Sequence, residues 1–250
     1  MKSFFIFVLA CLLCISCSQN PQDENHSLTW IDWDGKLVAW DYPVMPGTKE
    51  WEKLTTHQQM LDACQIPAEV LSYLSTEDLT RICLRYPLLG DIFAFNTLDD
   101  GLDQLFDHFN GIRELFKEDP SIELLKQYSS MIENLSSIDG HDKALFLIRY
   151  VYPIEALLSR LAPQNDGRNE RLKQVLNGLI TGYEAQIDCP EEELFVDYNF
   201  FSRAHVILKI CEQCRERLSE NSWEGLLAQG WIFDSKTIDV LNEMSYQLIN

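Results

Sequence analysis

Positive charge is scarce in this sequence. Lysine and arginine together number 20, against 39 aspartate and glutamate residues, and the formal net charge at pH 7 is −19. A chain with this balance repels phosphate backbones and anionic head groups, so nucleic-acid binding is excluded as a function. The acidic surface could attract cations or basic partners, although a solvated acidic face explains the same composition.

Beyond its N-terminal leader and the predicted cleavage point, the sequence lacks the even number of cysteines that a complete disulfide framework requires. Of eight in the chain, Cys11 and Cys14 fall in the N-terminal leader and Cys17 at its predicted cleavage point. The remaining five are Cys64, Cys83, Cys189, Cys211 and Cys214. An odd number cannot pair completely within one chain. Because most of these thiols lie in apolar helical patterns, we expect them to be small buried core residues.

Motifs that carry chemistry are also lacking. The sequence contains no GxSxG, no HExxH and no phosphate-binding loop. Cys211 and Cys214 have the CxxC spacing, but they lie well inside a predicted helix, where no strand or helix N-terminus activates the thiol. His141, between Asp139 and Asp142, suits a general base or a metal ligand, yet a helix N-terminus with acidic caps is the favoured explanation. We therefore predict no catalytic residue, no metal site and no cofactor, and a non-enzymatic role is favoured over an enzymatic one.

The N-terminus combines one positive charge with a short apolar run. Lys2 precedes Phe4–Ile15, which suits the hydrophobic region of a signal peptide and is shorter than the roughly 20 apolar residues of a membrane span. The run ends at Ser16-Cys17, and a small residue directly before a Cys resembles the lipobox of bacterial lipoproteins. In that family the Cys is acylated, with palmitate among its acyl chains, and becomes the new N-terminus, so the resemblance implies lipidation of Cys17. Cys14 departs from the aliphatic residue usual at its position, and plain secretion or a short uncleaved anchor are the alternatives.

The leader divides the chain into three predicted regions. Residues 1–16 are a signal peptide, residues 17–27 a lipidated flexible tether, and residues 28–250 a single helical domain. The tether is polar and without periodicity. Ser18, rather than Asp, follows the lipidated Cys, and by the family's sorting rule this implies the outer membrane. We therefore expect a cell-envelope protein held by its lipid, facing either the periplasm or the exterior.

Helical periodicity dominates the chain after residue 48. Thr56 begins a capping-box pattern, and Ser75 is placed to cap the next helix. The apolar stripe of that helix comprises Leu79, Ile82, Cys83 and Tyr86. Short connections between such segments, and no internal repeat, predict a mainly α fold: an irregular multi-helix bundle or array with a short N-terminal β-hairpin.

The longest apolar run covers residues 143–161. It contains Arg149, Glu155 and Arg160, and Pro153 is expected to kink it because proline lacks the backbone donor. The run is apolar on nearly all sides. This favours a central buried helix of a bundle over a membrane span.

An aromatic β-hairpin is predicted at residues 28–42. Asp34-Gly35 favours a two-residue turn between arms at 30–33 and 36–40. The candidate binding residues of this front end are Trp30, Trp33, Trp40 and Tyr42. They suit either an exposed platform for a sugar or peptide, or packing of the hairpin against the helices. Packing is favoured, since tryptophan contributes mainly through its large buried area.

Several short runs between residues 40 and 130 together form a pattern that resembles a known group of proteins. They are Met45-Pro46-Gly47, Cys64-Gln65-Ile66-Pro67, Leu74-Ser75-Thr76-Glu77, Tyr86-Pro87-Leu88-Leu89 and Phe109-Asn110-Gly111-Ile112-Arg113-Glu114-Leu115. In these runs the chain resembles a group of lipoproteins from anaerobic gut bacteria that has no assigned activity. The resemblance implies an exported lipoprotein and no particular chemistry.

Three functions fit the sequence. The first is a membrane-tethered helical module that binds a protein or an envelope component. The second is a carboxylate-dependent hydrolase of envelope glycans or peptides, with carboxylates as acid and base. The third is a glycan-binding module that uses the tryptophan cluster. A pocket with two carboxyls of raised pKa would favour the hydrolase, and exposed coplanar indoles would favour the glycan module.

Overall fold

The computed structural model describes residues 30–31, 35–135, 137–138 and 146–161, together with positions 174, 177 and 178. Most of these residues lie in helices, which confirms the mainly α class. The chain divides into two compact units, Met1–Pro120 and Ser121–Asn250. The predicted signal peptide and tether lie outside the described residues, and the single domain expected over 28–250 stays a prediction.

The N-terminal hairpin consists of two short antiparallel strands. β1 (Trp30–Ile31) pairs with β2 (Leu37–Val38), with Trp30 opposite Val38 and Ile31 opposite Leu37. A two-residue turn at Asp34-Gly35 would instead place Ile31 opposite Val38. The predicted hairpin is therefore present, but the register of the strands on either side of their connection differs from the one that a two-residue turn would give. Gly35 in this connection has φ +78°, a conformation that glycine adopts without steric cost.

The first unit continues through short helices. Among its described residues are 3₁₀ helices at Trp51–Lys53 and Leu89–Ala94, and the α-helices α1 (His57–Ala63), α2 (Ala68–Leu71), α3 (Thr76–Leu84), α4 (Leu98–His108) and α5 (Asn110–Leu115). The predicted stripe of α3 and its C-terminal flank is buried at every position, Leu79, Ile82, Cys83 and Tyr86. This face forms part of the core of the unit.

Two of the predicted caps begin helices as expected. The Thr56 hydroxyl accepts a hydrogen bond from the backbone N–H of Gln59 at 3.2 Å, and the Gln59 side chain accepts one from the N–H of Thr56 at 3.1 Å. This is the capping box predicted for α1. At α3, the Ser75 hydroxyl accepts from the N–H of Asp78 at 3.0 Å. Each cap satisfies backbone donors that the first helical turn leaves unpaired.

Two amide side chains, Gln65 and Asn110, form a clamp between the α1–α2 connection and the break between α4 and α5. The Asn110 amide accepts from the N–H of Ile66 at 3.0 Å and donates to the Ile66 carbonyl at 2.7 Å. Gln65 accepts from the N–H of Asn110 at 3.1 Å and donates to the His108 carbonyl at 2.9 Å. The clamp thus satisfies backbone groups that both interruptions expose.

The second unit contains a long amphipathic helix and a buried one. α6 covers Ser121–Leu135, a π-helical turn covers Leu147–Val151, and α7 covers Tyr152–Arg160. Tyr152 to Ser159 are all buried, as predicted for the central apolar run. Pro153 is the second residue of α7, which follows the π turn that ends at Val151, and its missing N–H interrupts the hydrogen-bond pattern of the helix at this point. Within the described residues, no helix combines the length and apolarity that a bilayer crossing requires.

Candidate functional site: a groove along α6

The aromatic front end does not present an exposed platform at Trp40 or Tyr42. Trp40 is 3% exposed and Tyr42 is 4% exposed, and their rings meet edge to face with centroids 4.8 Å apart. The Tyr42 hydroxyl donates to the carbonyl of Ile82 in α3 at 3.0 Å. Both rings therefore pack against the helices, and neither offers a ring face to a sugar. The side chain of Trp30 and the whole of Trp33 lie outside the described residues.

Ion pairs hold this front end on α3. Arg85 meets Asp41 through two contacts, Nε to Oδ1 at 2.9 Å and Nη2 to Oδ2 at 3.2 Å. A bidentate pair of this kind is directional as well as charged. Lys36 donates to Glu77 in the first turn of α3, and this contact lowers the pKa of the Glu77 carboxyl. These two ion pairs help to hold the hairpin and the segment that follows it against α3.

Four titratable side chains interact in the first unit: His57, Cys64, Tyr86 and Asp91. The Nε2 atom of His57 lies 3.8 Å from Oδ2 of Asp91. Burial raises the pKa of Asp91, and His57 opposes this shift. Burial, with the charge of Asp91 added, raises the pKa of Cys64 to about 12 and raises that of Tyr86 far above its ordinary value.

This cluster is poorly suited to nucleophilic or acid–base catalysis. The nucleophile is the thiolate, whereas Cys64 has a pKa of about 12 and is fully buried. Tyr86 stays neutral and stacks on Phe109 with ring centroids 3.9 Å apart. Asp91 supplies one carboxyl of raised pKa, whereas the hydrolase hypothesis requires two that face one substrate. We therefore interpret the cluster as part of the core and its edge.

A groove of about 580 Å³ lies in the second unit along α6. Its α6 residues are Ile122, Leu125, Lys126, Ser129, Ser130 and Glu133, and its other described residues are Gln174, Asn177 and Gly178. The members of the α6 set that are exposed, Ile122, Lys126, Ser129 and Glu133, recur at i, i+4, i+7 and i+11. This spacing places them in one stripe along the helix.

The buried side of α6 holds this stripe in position. Tyr128 is buried and its hydroxyl donates to Oε1 of Glu155, a buried residue of α7, at 2.8 Å. Opposite Leu125 stands Gly178, where a Cβ atom would lie 3.2 Å from the Leu125 Cδ2 atom. The small residue lets its backbone come close to α6, and close approach is a common use of glycine. The position of α6, and with it the shape of the groove, therefore depends on these buried contacts.

The groove mixes apolar and polar surface. Ile122 is 52% exposed at one end, and Ser129, Ser130, Gln174 and Asn177 supply hydroxyl and amide groups. Lys126 makes an ion pair with Glu123, Nζ to Oε1 at 2.6 Å. Binding sites commonly combine apolar contact with a few oriented polar groups. The arrangement can bind a ligand through surface contact and hydrogen bonds.

The groove along α6 was not predicted from the amino-acid pattern. Its residues on α6 have the pattern of the polar face of an ordinary amphipathic helix. The one feature of that pattern that could have indicated a binding surface is the apolar Ile122 within it. Cys64 and Cys83 are buried free thiols, as predicted. The other candidates discussed above, Cys17, His141, Cys189, Cys211 and Cys214, lie outside the described residues. Within the part of the chain that is described, no three potential ligands cluster closely enough to hold a metal ion.

Comparison of the chain with protein-family models, with curated proteins and with solved structures finds no match.

Proposed function

We propose that this chain is an envelope-tethered binding module. A lipid on Cys17 holds it at a bacterial membrane, and its second unit binds a protein or another envelope component. The observation that carries the binding role is the groove along α6, with a volume of about 580 Å³. The groove is open to solvent rather than enclosed, which suits surface contact with a large partner better than burial of a small ligand.

Two sequence features support the tether. Lys2 and the apolar run Phe4–Ile15 have the order of a signal peptide, and Ser16-Cys17 follows where a lipobox would end. Several acyl chains on one residue give durable anchoring, since each buried CH₂ contributes about 0.8 kcal/mol. A tether of polar residues then leaves the helical part free to meet partners in the envelope.

The proposal is tested by placing a photo-crosslinking amino acid at Ser129 of the full chain in its native bacterium. Ser129 is an exposed lining residue of the groove. The matched control is Ser72, an exposed serine in the first unit. We expect a discrete adduct after irradiation with the probe at position 129 and none with the probe at position 72.

A second variant distinguishes specific binding in the groove from non-specific adhesion to the surface. Ile122→Asp replaces the exposed aliphatic side chain at the groove's end by a charge, and it should weaken the adduct formed at position 129. The same adducts from both probe positions, or no adduct at position 129, would contradict the proposed binding role.

A further inference from the structure

We infer that the α6 groove takes an extended, basic peptide segment of a partner protein, with an aliphatic side chain at the end marked by Ile122. This inference rests on the proposed function and names the chemistry of its partner. It follows from the length, the lining and the charge of the groove.

The length of the groove suits a short extended segment. From Ile122 to Glu133, α6 advances about 16 Å at 1.5 Å per residue. An extended peptide rises about 3.3 Å per residue, so about five residues would follow the stripe from end to end. The distance exceeds what a single compact metabolite needs.

The lining suits a peptide better than a sugar. Side-chain amides at Gln174 and Asn177 each donate and accept hydrogen bonds, as each peptide group does. The hydroxyls of Ser129 and Ser130 have the same dual capacity. Ile122 and Leu125 form the apolar end. The described lining residues include no aromatic ring, whereas the sugar platform considered from the sequence would be built of such rings.

Charge favours a basic segment over an acidic one. The whole chain carries a net charge of −19, and a field of this sign attracts cationic partners and repels anionic ones. Inside the groove, the positive charge of Lys126 is compensated by Glu123 at 2.6 Å. Glu133 contributes an exposed carboxylate at the end opposite Ile122. This carboxylate adds to the negative field that a lysine or arginine of the segment would meet at that end.

The first experiment selects peptides without prior choice of sequence. A library of random short peptides displayed on phage is panned against the full mature chain, and in parallel against Ser129→Trp, which fills the groove. Ser72→Trp is the matched control. We expect enriched peptides that combine a lysine or arginine with an aliphatic residue, retained on the control and lost on Ser129→Trp.

The second experiment measures the contribution of charge. The most enriched peptide is labelled, and its binding is followed by fluorescence anisotropy at low and high salt. Glu133→Gln should weaken binding about threefold at low salt, the size expected of an exposed ion pair. Glu69→Gln, an exposed carboxylate in α2, should leave the affinity unchanged.

Acidic enriched peptides, or equal enrichment on Ser129→Trp and Ser72→Trp, would overturn the inference. Crosslinking at position 129 shows whether only the peptide assignment is wrong or whether the proposed binding function is wrong as well. If that probe forms an adduct with a glycan or lipid and no peptide is enriched, the peptide assignment is wrong and the groove still binds. If neither experiment gives a signal, both proposals are wrong.

Discussion

At the scale of single residues, a buried carboxyl and its hydrogen-bond donor stand out in the second unit. Glu155 is fully buried in α7, and Tyr128 of α6 donates to it at 2.8 Å. A buried polar group is costly unless hydrogen bonds replace its hydration. The pair therefore contributes to the alignment of α6, whose opposite side lines the groove.

Tyr128→Phe tests this pair. The substitution keeps the ring and removes the hydroxyl, so Glu155 loses one donor at a cost of about 1–3 kcal/mol in the free energy of unfolding. Urea unfolding followed by circular dichroism measures the loss. Tyr73→Phe is the control, since Tyr73 is 60% exposed and its substitution should change little. Equal effects of the two variants would mean that the bond to Glu155 does not stabilise the fold.

Asp91 is expected to destabilise the folded state at neutral pH, in contrast to the hydrogen bond between Tyr128 and Glu155, which stabilises it. Burial raises its pKa above the ordinary value of 3.8. The folded state therefore holds the proton more tightly than the unfolded state, and between these pKa values stability falls as pH rises. We expect Asp91→Asn to be more stable than the parent at neutral pH, by no more than about 1 kcal/mol because the side chain is 35% exposed.

Thermal unfolding at a series of pH values checks the Asp91 prediction. The advantage of Asp91→Asn should shrink on acidification and vanish where the carboxyl is protonated in both states. His57→Gln provides the control, because a protonated imidazole favours the ionised carboxyl. His57 opposes the rise in the pKa of Asp91, so without this imidazole the gain from Asp91→Asn should be larger. A gain that is constant with pH would show that the charge of Asp91 is not its cause.

At the scale of elements, the amide clamp joins two interruptions in the helical path. Asn110 exchanges two hydrogen bonds with the backbone of Ile66, at 3.0 and 2.7 Å. A break in a helix exposes backbone donors and acceptors that must find partners. The clamp supplies them and fixes where α4 ends and α5 begins.

Asn110→Ala is expected to lower the free energy of unfolding by about 2 kcal/mol, because two net hydrogen bonds of about 1 kcal/mol each are lost. Amide hydrogen exchange should show faster exchange at Ile66 and at the start of α5. Asn96→Ala, at an exposed position, is the control. Exchange that accelerates evenly over the first unit would indicate global destabilisation rather than release of the clamp.

At the scale of the whole molecule, the proposed lipid on Cys17 would attach an acidic helical chain to a membrane through one residue. Cys17→Ala removes the residue that would carry the acyl chains and should release the chain from the membrane fraction or block its maturation. Mass spectrometry of the parent protein should show an acylated N-terminal Cys17. An unmodified N-terminus elsewhere in the membrane-bound protein would contradict the tether.

Local patterns of residues were enough to predict several features of the fold. The mainly α class, the caps at Thr56 and Ser75, and the buried stripe of α3 all follow from side chains within a few turns of one another. Such interactions depend on spacing along the chain, which a sequence displays directly.

The register of the hairpin, the contacts that bury Trp40 and Tyr42, and the groove along α6 emerge only from the folded chain. Each depends on segments far apart in sequence: the hairpin against α3, and α6 against α7 and Gly178. Periodicity shows that a helix has an exposed stripe, but it does not show which neighbours leave a hollow beside it. That depends on how side chains fill the space between elements, and packing at this level is set by volumes and contacts that no local pattern contains.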